Sequence, residues 1–233
     1  MDVRLVTNQD LFFLSSALDL ARLASSLPRP SDAETDKTDR SQACVLGSVV
    51  CSVSFLECSI NGLYDYAQRP ARTTKLLRAL ASVWSDAVDR QPILAKYQIA
   101  LALAKREPFD TGTEPYQSAQ ALIELRNAIA HPKELTESER QQKNLEKKLH
   151  GKYTFNSRRP LYKGFFPDRC LSADCAFWAV QSAARVVLEF KRKMPPTAYW
   201  LSPNSSSWVQ HWLTEVQRLR LASANLASNG TAH

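Results

Sequence analysis

Three features of the 233-residue chain predict an all-α fold. Glycine is scarce, at 6 residues, while Ala and Leu recur throughout and β-branched runs are few. That balance favours helix over strand. Apolar residues return at steps of three and four, the spacing of a helix with one buried face. Most of the 12 prolines fall between those patterns, where they stop or start helices. The length allows one sizeable core. The expected architecture is a helical bundle of four to five core helices over residues 1–195, with a basic and aromatic insertion at 136–170. A C-terminal helical extension follows at 196–222, and then a disordered tail at 223–233.

The first helix is predicted over 8–26, with Asn8 as its cap and Leu11, Leu14, Leu18 and Ala21 on one face. Pro28 and Pro30 end it, and the polar stretch 31–40 reads as an exposed loop. A long second helix runs over 41–68 to Pro70. It is apolar nearly all round, so it should be central. Its polar exceptions, Ser54, Glu57, Asn61 and Asp65, fall at steps of three, four and four and share a face. A third helix spans 72–90. Pro92 opens a fourth that reaches Arg106, where Lys105 and Arg106 suit the negative helix end.

The next helix ends at Ala130, before His131 and Pro132. Thr111 or Thr113 is its expected cap, with Glu114 completing a capping box with Thr111. A charged, exposed helix is expected over 136–150. Ser172 caps a helix reaching Met194, and a last helix from Ser206 carries Trp208, Trp212, Leu213, Val216 and Leu219.

The formal charge is +7, which permits a polyanionic partner without demanding one. The cysteines, Cys44, Cys51, Cys58, Cys170 and Cys175, are odd in number and include no CxxC pair. The first three are seven apart, along one helix face, where they serve as small apolar residues. A reducing, cytoplasmic setting is expected. Neither a signal peptide nor a membrane span is predicted. The nearest approach to a span, Ala43 to Phe55, is short and rich in Ser.

Eight basic residues lie between Lys143 and Cys170: Lys143, Lys147, Lys148, Lys152, Arg158, Arg159, Lys163 and Arg169. Only Glu146 and Asp168 oppose them, and Tyr153, Phe155, Tyr162, Phe165 and Phe166 are interleaved. Two roles fit this composition. It can track an RNA backbone and stack bases, with Lys147, Lys148, Lys152, Arg158, Arg159 and Lys163 on the phosphates. It can equally be a loop pinned to the core by its aromatics, with solvated charges.

The stretch with the most chemistry is Ala121 to Glu134, ALIELRNAIAHPKE. Asn127 and His131 are four apart and share a face, and the long arm of Arg126 can reach the same cleft. An imidazole can move a proton near neutral pH. A guanidinium can grip a phosphate and stabilise developing charge. Such a pair suits cleavage of RNA by its own 2′-hydroxyl. The same residues also fit a purely structural role at a helix end.

Arg126-Asn127-Ala128-Ile129-Ala130-His131, with the helix from Val53 to Asp65, resembles the HEPN superfamily (higher eukaryotes and prokaryotes nucleotide-binding). Many of its members carry Arg, four to six residues, then His near the end of a late helix, with a polar residue after the Arg. The resemblance implies an all-α bundle over 8–195 and a metal-independent endoribonuclease with no cofactor. It implies roles in toxin–antitoxin or antiviral defence, and a homodimer whose two motifs meet in a composite cleft. Arg126 would stabilise the phosphate, His131 would move the proton and Asn127 would orient either. Glu57, Asn61 and Ser54 would support them, Glu57 by an ion pair to Arg126 or as a packing anchor. Partners would be RNA and an antitoxin or other regulatory protein. Other members of the superfamily bind nucleotides or partner subunits without cutting, so a non-catalytic binding or assembly module is the alternative.

Overall fold

The computed structural model describes residues 9–27, 40–69, 74–84, 86–130, 143–156, 169–196, 207 and 209–220. These residues are helical or connecting, with no strand among them. The helices are α1 (Gln9–Ser26), α2 (Arg40–Ala67), α3 (Lys75–Val83), the single turn α4 (Asp86–Asp89), α5 (Ile93–Leu103), α6 (Tyr116–Ala130), α7 (143–149), α8 (Ala173–Lys193) and α9 (209–220). The expected all-α bundle is therefore the observed fold class. The proposed caps Asn8 and Ser206, the loop at 31–40 and the tail at 223–233 lie outside the described residues.

The core is built around α2, which packs against α1 on one side and α8 on another, while α1 and α8 also touch. Val45, Val49, Phe55, Leu56, Ile60, Leu63 and Tyr64 of α2 are buried. By length and composition α2 could cross a bilayer. Its most apolar window has a mean hydropathy of 1.9, and 56% of that window is buried inside the protein. The span is not evident in the sequence, because the Ser residues of α2 dilute its apolar runs. Here those hydroxyls serve the packing. Ser48 is fully buried, and its Oγ donates to the Ala17 carbonyl of α1 at 2.8 Å, with a longer contact of 3.4 Å to the Ala176 carbonyl of α8.

Ala17, Ala21 and Ala176 are also fully buried, so small side chains let the three helices approach closely. At Gly47 a Cβ would stand 3.0 Å from Leu20 Cδ1, which leaves little room for a larger residue. Tyr97 of α5 extends the core: its ring meets Phe190 of α8 edge-on at 4.8 Å and its hydroxyl donates to the Leu56 carbonyl at 2.8 Å. Cys44 and Cys51 lie half-buried against the core, Cys58 is half-buried, and Cys170 and Cys175 are fully enclosed.

Several helix boundaries differ from expectation, each for a local reason. The helix predicted over 72–90 breaks at Trp84, whose backbone is extended with φ −69° and ψ 103°. Its indole stacks on Tyr64 at 4.7 Å and faces the Lys96 ammonium at 5.5 Å. Aromatic burial at this position wins over local helix propensity. The helix expected to reach Arg106 stops at Leu103. There Lys105 takes φ 53°, and the Lys105 and Arg106 amides donate back to the Ala102 and Leu101 carbonyls at 3.0 and 2.9 Å. That is a Schellman end formed with Lys in the position usually held by Gly.

At the start of α6 the predicted capping box does not form. Asp110 instead closes a turn onto the Gly112 amide at 2.8 Å, and the Glu114 carboxylate accepts from the Ser118 amide and hydroxyl at 3.3 and 2.8 Å. Ser172 does cap α8, accepting from the Cys175 amide at 3.2 Å, and Lys191, Arg192 and Lys193 sit in its last turn.

Of the charged, exposed helix expected over 136–150, residues 136–142 lie outside the described residues, and in the rest Lys143, Lys147 and Lys148 are exposed as expected. Leu145 and Leu149 of α7 are buried, and Tyr153 packs on Trp178 of α8 at 5.1 Å with Phe155 edge-on to it. For these two aromatics the pinned-loop role holds, whereas Tyr162, Phe165 and Phe166 lie outside the described residues. The C-terminal helix α9 buries Val209 and Val216 in the same core, with Trp212, Leu213 and Leu219 packed partly against it. Trp208 lies outside the described residues.

The seam at Ser48 makes a stability prediction. Ser48→Ala removes the buried hydroxyl bridge and is expected to cost about 1 kcal/mol. For a chain of this size that lowers Tm by about 2–4 °C. Ser48→Leu drives a large side chain between close-packed helices and should cost about 1–3 kcal/mol or more. Thermal unfolding followed by circular dichroism measures both, and an unchanged Tm for the leucine variant would contradict the close seam.

Candidate functional site

Helix α6 packs against α2 and α8, burying Ala119, Ala121, Leu122 and Leu125. Its C-terminal turns carry the Arg-Asn motif. Adjacent residues on a helix point about 100° apart, and the two side chains differ accordingly. Asn127 is exposed, while Arg126 is half-buried. The Nε of Arg126 is fully enclosed and has no hydrogen-bond partner among the described residues. A buried donor without an acceptor is unfavourable by roughly 1–3 kcal/mol. His131, the proposed proton carrier, lies outside the described residues, so of the motif's three polar residues Arg126 and Asn127 have a described position.

The supporting face on α2 is divided. Ser54 and Glu57 are half-buried and Asp65 is exposed. Among the described residues no ion pair joins Glu57 to Arg126, so the expected electrostatic support for the arginine is not formed. Asn61 is engaged elsewhere: its Oδ1 accepts from the Lys96 ammonium of α5 at 3.0 Å. Lys96 is only 2% exposed, and its carbonyl accepts from the Tyr64 hydroxyl at 3.1 Å. Asp89 stands 3.6 Å from the same ammonium. Asn61 is thus an acceptor for a buried cation, which such a cation needs.

The basic stretch is also partly committed. Lys148 pairs with Glu124 of α6 at 2.6 Å, and Lys152 with Glu114 at 2.8 Å and the Ser118 hydroxyl at 3.1 Å. Arg169 lies 3.6 Å from Glu146. Lys143 and Lys147 are exposed. Arg158, Arg159 and Lys163 lie outside the described residues. The lysines at 148 and 152 therefore fasten α7 and the turn after it along α6, a use that the bare charge count did not anticipate.

At the opposite end of α6 lies a cavity of about 570 Å³. Ser118 of α6, the turn His150-Gly151-Lys152, Gln181 and Arg185 of α8, and Arg220 of α9 line it. Arg220 is its main fastening. Its guanidinium makes a two-pronged contact with Asp174, at 2.7 and 3.1 Å, donates to Gln181 Oε1 at 2.9 Å and reaches the Lys152 carbonyl at 3.4 Å. Asp174 also accepts from the Thr154 amide at 2.8 Å.

Burial raises the Glu114 carboxyl. The hydrogen bonds from Lys152 and Ser118 and the Lys152 charge outweigh that and hold it below the usual glutamate range. This grouping is not legible in the sequence, because its members come from segments scattered between Glu114 and Arg220. One signal was available: Gln181, Ser182 and Arg185 fall at steps of one and three, which places three polar residues on one side of an otherwise apolar stretch of α8.

Comparison with protein-family models, curated proteins and solved structures yields no match to this chain. Its residues and their geometry therefore carry the functional argument. The Lys96–Asn61 contact makes a prediction that separates support of the fold from support of a site. Asn61→Ala removes the hydrogen-bond acceptor of a buried ammonium, leaving it Asp89 at 3.6 Å, and should cost about 1.5–3 kcal/mol of stability. Asn61→Asp keeps an acceptor and should retain most of it. Chemical denaturation of the two variants tests this, and equal stability of Asn61→Ala and the parent would refute the anchoring role.

Proposed function

We propose that the chain is a metal-independent endoribonuclease of the HEPN type, acting in the cytoplasm as a toxin or antiviral-defence effector under the control of a regulatory protein. One observation supports this above the others. Arg126 sits half-buried near the end of α6, beside exposed Asn127, and no carboxylate pairs with it among the described residues. A guanidinium without a carboxylate keeps its donors for a phosphate.

In the proposed reaction the substrate 2′-hydroxyl attacks the adjacent phosphorus. The bond from phosphorus to the 5′-oxygen breaks, leaving a 2′,3′-cyclic phosphate and a 5′-hydroxyl. His131 accepts the proton of the attacking hydroxyl or protonates the leaving oxygen. Arg126 stabilises the charge that builds on the non-bridging oxygens, and Asn127 orients the substrate. One imidazole serves one of the two proton transfers, so a second copy of the chain supplies the other in a composite cleft.

A second reading is favoured by a separate observation: neither Arg126 nor Asn127 lines the 570 Å³ cavity. On that reading the chain is a HEPN-like binding or assembly module without catalysis, and the cavity is its working surface.

Incubation of the full chain with RNA in EDTA distinguishes the two. Cleavage should leave 2′,3′-cyclic phosphate ends, and His131→Ala and Arg126→Ala should each reduce its rate by about 10²-fold or more. Ends bearing a 3′-hydroxyl, or a His131→Ala variant as fast as the parent, would refute the ribonuclease mechanism. Intact RNA in every sample would leave the binding module as the better account.

A further inference from the structure

We infer that the cavity between α6, α8 and α9 is a binding site for a small organic phosphomonoester. Its residues are separate from Arg126 and Asn127, so it stands whether or not the chain cleaves RNA.

The charge of the lining comes first. Lys152 is neutralised by Glu114 at 2.8 Å, and Arg220 by Asp174 at 2.7 Å. Arg185 remains. It is exposed at the cavity wall, and its guanidinium has no hydrogen bond or ion pair among the described residues. The His150 side chain, on the facing turn, likewise has no hydrogen bond among them; its ring only meets Phe155 edge-on at 6.4 Å. One uncompensated cation and one unused imidazole therefore border the same space.

The donors come second. Gln181 is 8% exposed, and its Oε1 is occupied by the Arg220 guanidinium at 2.9 Å. That bond sets the sense of the amide, because an arginine can only donate. The amide nitrogen of Gln181 is left as a donor in the cavity wall. Arg185, His150 and Gln181 belong to two different elements, so donors approach from more than one direction. A planar carboxylate has two oxygens in one plane and suits a single arginine fork. A phosphomonoester offers three oxygens in a tetrahedral array and suits donors from several sides.

Size decides between a bare ion and an organic phosphate. A space of about 570 Å³ is far larger than inorganic phosphate and falls within the usual range for small-molecule sites. Glu114 also borders the space. Its carboxylate is held below the usual glutamate range, so it stays ionised and can accept from a hydroxyl of the organic part. The cavity also bridges the bundle and α9, because Arg220 provides both a wall and the fastening to Asp174. A ligand there would hold α9 against α8.

Calorimetric titration of the full chain with glycerol 3-phosphate and with adenosine 5′-monophosphate tests the inference. At least one should bind saturably with a Kd of about 1 mM or tighter. Arg185→Ala should weaken it about tenfold or more and Arg185→Lys less, while Arg78→Ala, which removes an exposed cation on α3, should leave it unchanged. Because Arg185 is exposed and has no ion pair among the described residues, its variants should keep the parent Tm. No saturable binding, an equal loss with Arg78→Ala, or acetate competing as well as phosphomonoester would overturn the site. So would a short RNA that depends on Arg185 while neither monophosphate binds, since the face would then be a polynucleotide groove. Activity of the His131→Ala variant on RNA does not enter these readouts, so this inference and the ribonuclease reading fail separately.

Discussion

The structure depends on the need to enclose α2. A helix of 28 residues with apolar side chains on nearly every face cannot be covered by one neighbour. Helices α1 and α8 share that task, and they approach because Ala17, Ala21, Ser48 and Ala176 are small. The Ser48 hydroxyl, fully buried, finds the Ala17 carbonyl and so adds a directional contact without an unsatisfied group. The remaining helices occupy the surfaces left over. Helix α5 enters through Tyr97, α6 lies against α2 and α8, and α9 closes over the core with Val209 and Val216.

Polar groups that become buried in this arrangement are mostly answered in kind. Lys96 is met by Asn61, and Asp174 by Arg220 and the Thr154 amide. Each contact joins elements far apart in the chain, so each helps to specify which helices become neighbours. Arg126 is the exception near the motif, because its Nε is enclosed and unanswered. A buried polar group left unsatisfied is a place to look for a ligand, although Asp10, Ser52 and Tyr153 also each enclose an oxygen without a hydrogen-bond partner among the described residues. At the end of α6 the enclosed Nε belongs to a half-buried guanidinium that stands beside the exposed Asn127.

The two ends of α6 therefore present different chemistry. At the C-terminal end stand an exposed amide and a guanidinium that no carboxylate meets among the described residues. At the N-terminal end, Glu114 and Ser118 help to form a cavity with α8 and α9. Ser118 and Arg126 are eight residues apart, which is about 12 Å along a helix axis. The helix is a rigid spacer between them. The basic residues of 143–152 run beside it, with Lys148 bound to Glu124 of the helix, Lys152 to Glu114 just before it, and Lys147 left to solvent.

Local sequence determined the helices and most of their ends. Periodicity located α1, α2, α6 and α8 to within a few residues, because an amphipathic stripe is a property of neighbours three and four apart. Ser172 was legible as a cap for the same reason. The Arg126-Asn127 pair and its place at the end of a helix were legible too. Tertiary packing decided the rest. It broke the third helix at Trp84, where stacking on Tyr64 outweighed a helical run. It turned Asn61 toward Lys96 and left Glu57 unpaired with Arg126. It brought Glu114, His150, Arg185 and Arg220 around one cavity from four segments of the chain. A single sequence records spacing along the chain but not which surfaces meet. Those contacts depend on how the apolar faces are shared out, and here that is settled by burying α2.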